Sequence, residues 1–179
     1  MNQDKVYIFE TERINSEHLK RVTLSPCPRW MIDACAEFKK DAYCHYNTMH
    51  LQQLIVDLLP EEQSEKVKYV IGFILRGVPV EHAFLKIGDL YFDPTLDFEL
   101  TVNDDIYELL TLTKDEVSKF TEAHGTQDHG VIMLSLRNSD DHKHLFNANN
   151  EVIMLEAIQK ILDSDIDETY DLTPNKMTF

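Results

Sequence analysis

The stretch "HAFLKIGDLYFDPT", residues 82–95, predicts two short β-strands joined by a tight turn at Gly88 and Asp89. With these two as the turn residues, the register makes His82 and Asp93 diagonal neighbours on one face of the hairpin. Their Cβ atoms are then less than about 8 Å apart, so the Asp93 carboxylate reaches a ring nitrogen of His82. A third group is needed to make this histidine–carboxylate pair a catalytic site.

The helix upstream of the hairpin supplies a candidate nucleophile. The segment "AYCHYNTMHLQQLIVDLL", residues 42–59, has helical spacing, with Asp41 as the expected N-cap and Pro60 after its end. Cys44 then occupies the third helical position, where free backbone N–H groups and the helix dipole favour thiolate over thiol. The face expected to pack on the sheet is formed by Cys44, Asn47, Leu51, Leu54, Ile55 and Leu58.

Three motifs in this region resemble the catalytic core of the papain-like and transglutaminase-like superfamily. They are "CHYN" at residues 44–47, "HAFL" at 82–85 and "DPT" at 93–95. They match the patterns C-x-x-N, H-A-x-L and D-P-T of small bacterial and phage proteins of this superfamily. The segment from Asp41 to Asp97 is also similar to the looser C-x-x-N, H-x-x-L and D pattern of arylamine N-acetyltransferases, which share that fold. The resemblance implies a papain-like or transglutaminase-like core.

By this resemblance, Cys44 is the nucleophile, His82 the general base and Asp93 the carboxylate that orients the base. Asn47 matches a motif position without an assigned role, and Ile71 stands where the family has an acidic residue before a strand glycine. The implied activity is that of a thiol hydrolase or acyltransferase on a peptide, a protein, or a small amide or ester. Protease, amidase and transglutaminase-like amine transfer all remain open.

Other groups are candidates for completing the site. The backbone N–H of Cys44 is one expected oxyanion donor, and Asn47, Tyr43 and Trp30 are candidate lining residues. The second oxyanion donor is not identified, because no glutamine lies a short distance upstream of the cysteine as in papain-like enzymes. No cofactor or metal is expected: the run "DDHKH" at residues 140–144 lacks closed zinc spacing, and the glycines form no phosphate-binding motif.

The remaining pattern predicts an α+β fold with helices packed on an antiparallel sheet. The expected elements are a helix near residues 28–39, a buried strand at Val67–Leu75, a helix opened by a Thr113–Glu116 capping box, and a strand at Gly130–Leu136. The 179 residues suit a single domain over residues 1–162. An acidic tail at residues 163–179 is expected to be disordered or draped over the surface.

The charge of the chain restricts its partners. The 17 Lys and Arg against 32 Asp and Glu give a net charge of −15, which repels nucleic-acid phosphates and anionic lipid surfaces. No apolar run approaches the roughly 18 residues of a membrane span, and the N-terminus lacks a secretory signal pattern. The three cysteines are an odd number without CxxC spacing. We therefore expect a cytoplasmic protein, in the host cytoplasm if it is phage-encoded, with no nucleic-acid or membrane partner. The sequence does not indicate the oligomeric state.

Each candidate residue also has a purely structural interpretation. A free cysteine on an apolar helix face is most often a small core residue, and this interpretation is kept for Cys27 and Cys35. A strand histidine such as His82 is often a satisfied core residue, and Asp93 can cap a strand end. Only the combination of the pair with Cys44 favours catalysis over these interpretations.

Two further expectations concern the surface. His45 and His50 are expected to be exposed, because a side chain one residue after Cys44 points away from it and His50 lies almost two turns later. The acidic surface slightly favours an alternative function, a catalytically silent binding protein or a phage-type inhibitor of a host enzyme built on the same scaffold.

Overall fold

A five-stranded antiparallel β-sheet forms the centre of the protein in the computed structural model. The structure describes Phe9 and residues 13–40, 43–96, 105–124 and 135–146. All of these fall in the first of two units, Met1–Asn147; the second unit, Ala148–Phe179, lies outside the described residues and contains the expected acidic tail. Helices together with an antiparallel sheet confirm the predicted α+β class.

The strands lie in the order β1-β5-β2-β3-β4 across the sheet. Their bounds are Lys20–Val22 (β1), Val67–Arg76 (β2), Val78–Ile87 (β3), Leu90–Phe92 (β4) and Asp105–Leu112 (β5). β2, β3 and β4 form a meander that reverses at Gly77 and Gly88, whose φ angles of +83° and +60° suit glycine. The predicted strand at Val67–Leu75 and the predicted hairpin turn are therefore confirmed.

The described α-helices are Arg29–Ala36 (α1), Cys44–Leu58 (α2), Glu61–Ser64 (α3) and Lys114–His124 (α4). α4 opens with the predicted capping box: the Thr113 N–H donates to the Glu116 carboxylate at 2.7 Å, and the Glu116 N–H donates to the Thr113 hydroxyl at 3.2 Å. The predicted strand at Gly130–Leu136 is wrong where it can be compared, because residues 135–138 are helical.

Helix α2, which carries the candidate nucleophile, begins later than predicted. Tyr43 is its N-cap and Cys44 its first residue, so the predicted N-cap Asp41, which lies outside the described residues, is wrong. The Tyr43 side chain makes no capping hydrogen bond. Cys44 therefore occupies the first helical position, still among the residues whose N–H groups have no partner within the helix.

The face of α2 that packs on the sheet is partly polar. Its buried residues are His45, Asn47, Thr48, Leu51, Gln52 and Ile55. Leu54 and Leu58, which were predicted for this face, are exposed. Gln52 shows why: its amide donates to the main-chain oxygens of Val67 and Leu112 at 3.2 and 3.1 Å. Carbonyl groups at the strand ends thus find donors on the helix that leucines would not provide.

The two faces of the sheet carry different cores. Beneath α2, strand residues pack against Leu51 and Ile55. The opposite face holds Val22, Val70, Ile74, Phe84, Tyr91, Leu96 and Ile106. Because side chains alternate along β3, His82 points to the same face as Phe84, whereas Glu81 points to the face beneath α2.

Gly72 of β2 lies opposite His82 in the β2–β3 ladder. On its other side the register with β5 shifts between Ile71 and Gly72, which marks a β-bulge. A Cβ atom at Gly72 would lie 2.0 Å from the carbonyl oxygen of Tyr107. Only glycine therefore fits beside His82 at this close approach of β2 and β5.

Candidate active site

His82 and Asp93 form a buried pair at the end of the β3–β4 hairpin. His82 Nε2 is hydrogen-bonded to Asp93 Oδ2, and the two residues are 6% and 1% exposed. The other carboxylate oxygen, Oδ1, accepts hydrogen bonds from the N–H groups of Thr95 and Leu96 at 2.8 and 3.0 Å. Three donors therefore surround the Asp93 carboxylate, and Nε2 must carry a proton to bond it.

The second partner of the His82 ring is Cys44. Burial is the largest single influence and lowers the pKa of His82, but the hydrogen bond and charge of Asp93, followed by those of Cys44, raise it from 6.5 to about 10. Since Nε2 bonds Asp93, Nδ1 is the ring nitrogen left for the cysteine sulfur. The arrangement therefore favours a protonated His82 ring between Asp93 and Cys44 near neutral pH.

Helix α2 is tied to the strand directly beside His82. The Thr48 hydroxyl, one helical turn after Cys44, donates to the main-chain oxygen of Ala83 at 3.1 Å. Ala83 is the residue after His82. This bond joins the N-terminal part of α2 to the middle of β3.

Asn47 links the two chain segments that hold the triad. Its amide N–H group donates to the Lys40 main-chain oxygen at 2.8 Å and to the Thr95 hydroxyl at 3.2 Å, and its amide oxygen accepts from the Lys40 N–H at 2.9 Å. The side chain is completely buried. Asn47 thus joins the segment that leads into Cys44 to the turn that follows Asp93. This contact set gives the motif asparagine a structural role that the sequence did not indicate.

His45 is buried, at 5% exposure, so the prediction that it lies at the surface is wrong. Its Nδ1 is hydrogen-bonded to the hydroxyl of Tyr69 on β2, and its Nε2 lies 3.0 Å from Oε1 of Glu81 on β3. The ring therefore contacts side chains of two adjacent strands on the sheet face beneath α2. A tyrosine and a glutamate that face one buried side of adjacent strands are the sequence signal that could have indicated a polar partner there.

His50 is half-buried rather than exposed. Its ring packs on Tyr46 and Phe38, with centroids 4.1 and 5.5 Å away. Burial, assisted by the charge of Lys40, lowers the pKa of His50. The residue therefore belongs to an aromatic cluster with Tyr46 and Phe38.

The two candidate lining residues differ in their relation to the triad. Tyr43 directly precedes Cys44, is about half exposed, and its main-chain oxygen accepts from the Asn47 N–H at 2.9 Å. Trp30 is an exposed residue of α1. Among the described residues, no hydrogen bond or ring contact links Trp30 to Cys44, so only Tyr43 stands at the site by its position in the chain.

Cys27 and Cys35 are both buried, whereas Cys44 is partly exposed. The Cys27 thiol lies 3.5 Å from the main-chain oxygen of Asp93, to which it donates. Burial raises the pKa of Cys35 to about 11, against a smaller lowering by the charge of Lys39. Both cysteines line a small apolar cavity of about 110 Å³ beside α1.

Comparisons of the chain with models of known protein families, with curated proteins and with solved structures find no match. Within the described residues, no helix is long and apolar enough to span a membrane. No three His, Cys, Asp or Glu side chains in that part of the chain are grouped so that they could hold a metal ion. Function is therefore inferred from the chemistry of the site and from the motif resemblance.

Proposed function

We propose that the protein is a cysteine-dependent hydrolase or acyltransferase that acts on a peptide, amide or ester through Cys44, His82 and Asp93. The observation that carries the proposal is the buried His82 ring, which has an ionised carboxylate on one nitrogen and the Cys44 sulfur as its other partner. A core histidine needs neither a fixed carboxylate nor a thiol. The resemblance of the three motifs to the papain-like and transglutaminase-like core supports the same assignment.

The chemistry follows from this arrangement. The Cys44 thiolate attacks the substrate carbonyl carbon, and the carbonyl electron pair moves to oxygen, where the N–H of Cys44 donates a hydrogen bond. As the tetrahedral intermediate collapses, the imidazolium of His82 gives its proton to the leaving amine or alkoxide. A thioester with Cys44 remains, and neutral His82 then takes a proton from the water or amine that attacks its carbonyl carbon. The C–S bond breaks, the acyl product leaves, and the Cys44 thiolate and protonated His82 are restored. Asp93 holds the ring orientation throughout and is not protonated.

A second candidate is a binding protein that has kept the scaffold without turnover. The observation that favours it is the net charge of −15, which suits contact with a basic protein surface. Such a protein has no need for a reactive cysteine. The two candidates therefore differ in the behaviour of one thiol.

The test is acylation of the intact protein with a p-nitrophenyl ester. We expect a burst of p-nitrophenolate and a mass increase that peptide mapping assigns to Cys44, because a thiolate beside an imidazolium attacks such esters. Cys44→Ala should abolish the burst, and Cys35→Ala, the matched control at a buried cysteine, should retain it. An absent burst, with Cys44 no more reactive than Cys27 and Cys35, would leave the binding protein as the better account.

A further inference from the structure

A second histidine-centred chain runs beside the first. It consists of Tyr69, His45 and Glu81 and is called the His45 chain below. Its histidine follows Cys44 directly on α2, and its glutamate directly precedes His82 on β3. Two consecutive helix residues thus contact two consecutive strand residues, whose side chains point to opposite faces of β3.

The protons of the His45 chain can be assigned from its surroundings. Burial, followed by the negative charges of Cys44 and Glu81, raises the pKa of Tyr69 well above its ordinary value of 10. The phenol is therefore neutral, and its O–H donates to Nδ1 of His45. The other ring nitrogen, Nε2, faces the Glu81 carboxylate. Because the charge of Cys44 is one cause of the raised pKa of Tyr69, the His45 chain lies near the nucleophile.

Burying the polar groups of the His45 chain costs more free energy than burying apolar side chains in the same place. Tyr69 is 1% exposed and belongs to the apolar cluster that contains Ile71, Phe73 and Ala83. An apolar side chain in place of His45 would fill the same space without desolvating an imidazole and a carboxylate. Buried polar contacts of this kind fix one geometry where apolar packing permits several.

The start of α2 is where such a fixed geometry is needed. Its N-cap residue, Tyr43, makes no side-chain capping bond, and Cys44 is the first helical residue. Uncapped helix ends fray, so the first turn needs another anchor. His45 provides contacts to β2 and β3 from within that turn.

We propose that the His45 chain positions the nucleophile: it anchors the first turn of α2 to β2 and β3, and thereby keeps Cys44 in hydrogen-bonding contact with His82. His45 is thus a positioning residue and takes no part in bond making. This inference rests on the proposed function, which gives the reason why the contact between Cys44 and His82 is needed. Its test reads thiol reactivity and does not require turnover.

The experiment measures the rate of iodoacetamide labelling of Cys44 in the full chain from about pH 5 to about pH 10, a range that brackets histidine and cysteine titration. Tyr69→Phe and His45→Asn should lower the rate at neutral pH by roughly ten- to a hundredfold, the loss typical of a misplaced reacting group. Glu81→Gln keeps the size of the side chain and an oxygen facing Nε2, and should retain most of the rate. His50→Asn, the matched control on the same helix, should leave the profile unchanged.

A double-mutant comparison separates positioning from general loosening. In a His82→Gln background the reactivity no longer depends on the contact between sulfur and imidazole, so Tyr69→Phe should have little further effect. Unfolding midpoints establish that each variant is folded, and Tyr69→Phe, which keeps the ring, remains testable if His45→Asn does not fold. Unchanged labelling profiles for both variants, or an equal loss in the His82→Gln background, would overturn the proposal. A wild type that labels rapidly but forms no acyl-enzyme contradicts only the proposed function.

Discussion

His82 and His45 are both buried histidines with a carboxylate on one side, but their carboxylates are held differently. Asp93 Oδ1 accepts two backbone N–H bonds in addition to the bond from His82 to Oδ2. Glu81 has a half-buried side chain, and its Oε1 makes a 3.0 Å charge contact with His45 that lacks hydrogen-bond alignment. Asp93 is therefore placed to stabilise a positive charge on His82, whereas Glu81 is placed to hold the position of His45.

The largest effect is expected from breaking the strand beside His82. Gly72→Ala should destabilise the fold by about 3 kcal/mol or more, because the added Cβ would lie 2.0 Å from the Tyr107 carbonyl oxygen. Urea unfolding measures the change. Gly77→Ala is the comparison at a site with open space but a φ of +83°, and should cost less, about 1 kcal/mol. Equal losses at the two glycines would show that the close approach beside His82 is not rigid.

Asn47→Ala should come next, with a loss of about 2 to 3 kcal/mol in unfolding free energy, because the main chain of Lys40 and the hydroxyl of Thr95 lose their bonds to the buried amide. Labelling of Cys44 should also slow, since both triad-bearing segments are released. Gln53→Ala, on the same helix, is the control and should lie within about 0.5 kcal/mol of wild type. A fully stable Asn47→Ala protein would assign the motif asparagine to some other role.

Asp93→Asn tests directly whether Asp93 stabilises a positive charge on His82. Asp93 raises the pKa of His82, so the substitution lowers this pKa and leaves the ring beside Cys44 less often protonated. Labelling of Cys44 at neutral pH should fall by about tenfold or more, as one unit of pKa corresponds to a factor of ten. The wild-type and variant rates should converge above about pH 10, where the thiolate forms without an imidazolium. Glu81→Gln should shift the profile far less; identical shifts for the two substitutions would erase the distinction between them.

The smallest effect is expected at the link between α2 and β3. Thr48→Val keeps the shape of the side chain but leaves the Ala83 oxygen without its donor, at a cost of about 1 kcal/mol. Thr48→Ser keeps the hydroxyl and serves as the control. Because Asn47 and His45 still hold the first turn, Cys44 labelling should change by only about twofold, well inside the range of a single neutral hydrogen bond. A loss as large as that of Asp93→Asn would make Thr48, rather than the His45 chain, the main anchor.

The hairpin could be predicted from the sequence because its determinants are local. Gly88 supplies the turn, and His82 and Asp93 are 11 residues apart, so the register alone predicts their contact. The capping box at Thr113 and Glu116 is equally local.

The His45 chain could not be predicted in the same way. Its hydrogen bond to Tyr69 spans 24 residues and depends on how α2 crosses the sheet. Helical spacing by itself favoured the leucine face, yet Leu54 and Leu58 are exposed while Thr48 and Gln52 are buried. The strand carbonyls that these polar residues satisfy become visible only when helix and sheet are placed together.

The short hairpin between His82 and Asp93 has a consequence for the order in which the site assembles and opens. A two-residue turn closes within about 1 to 10 μs, so the imidazole and the carboxylate meet as soon as the hairpin forms. Cys44 joins only when α2 docks through its long-range contacts, which carry a greater loop-closure entropy. In partial opening of the folded protein the thiol should therefore separate first, and amide exchange at the start of α2 should precede exchange in β3 and β4. The histidine and its carboxylate would remain paired through such an opening, ready for the sulfur to return.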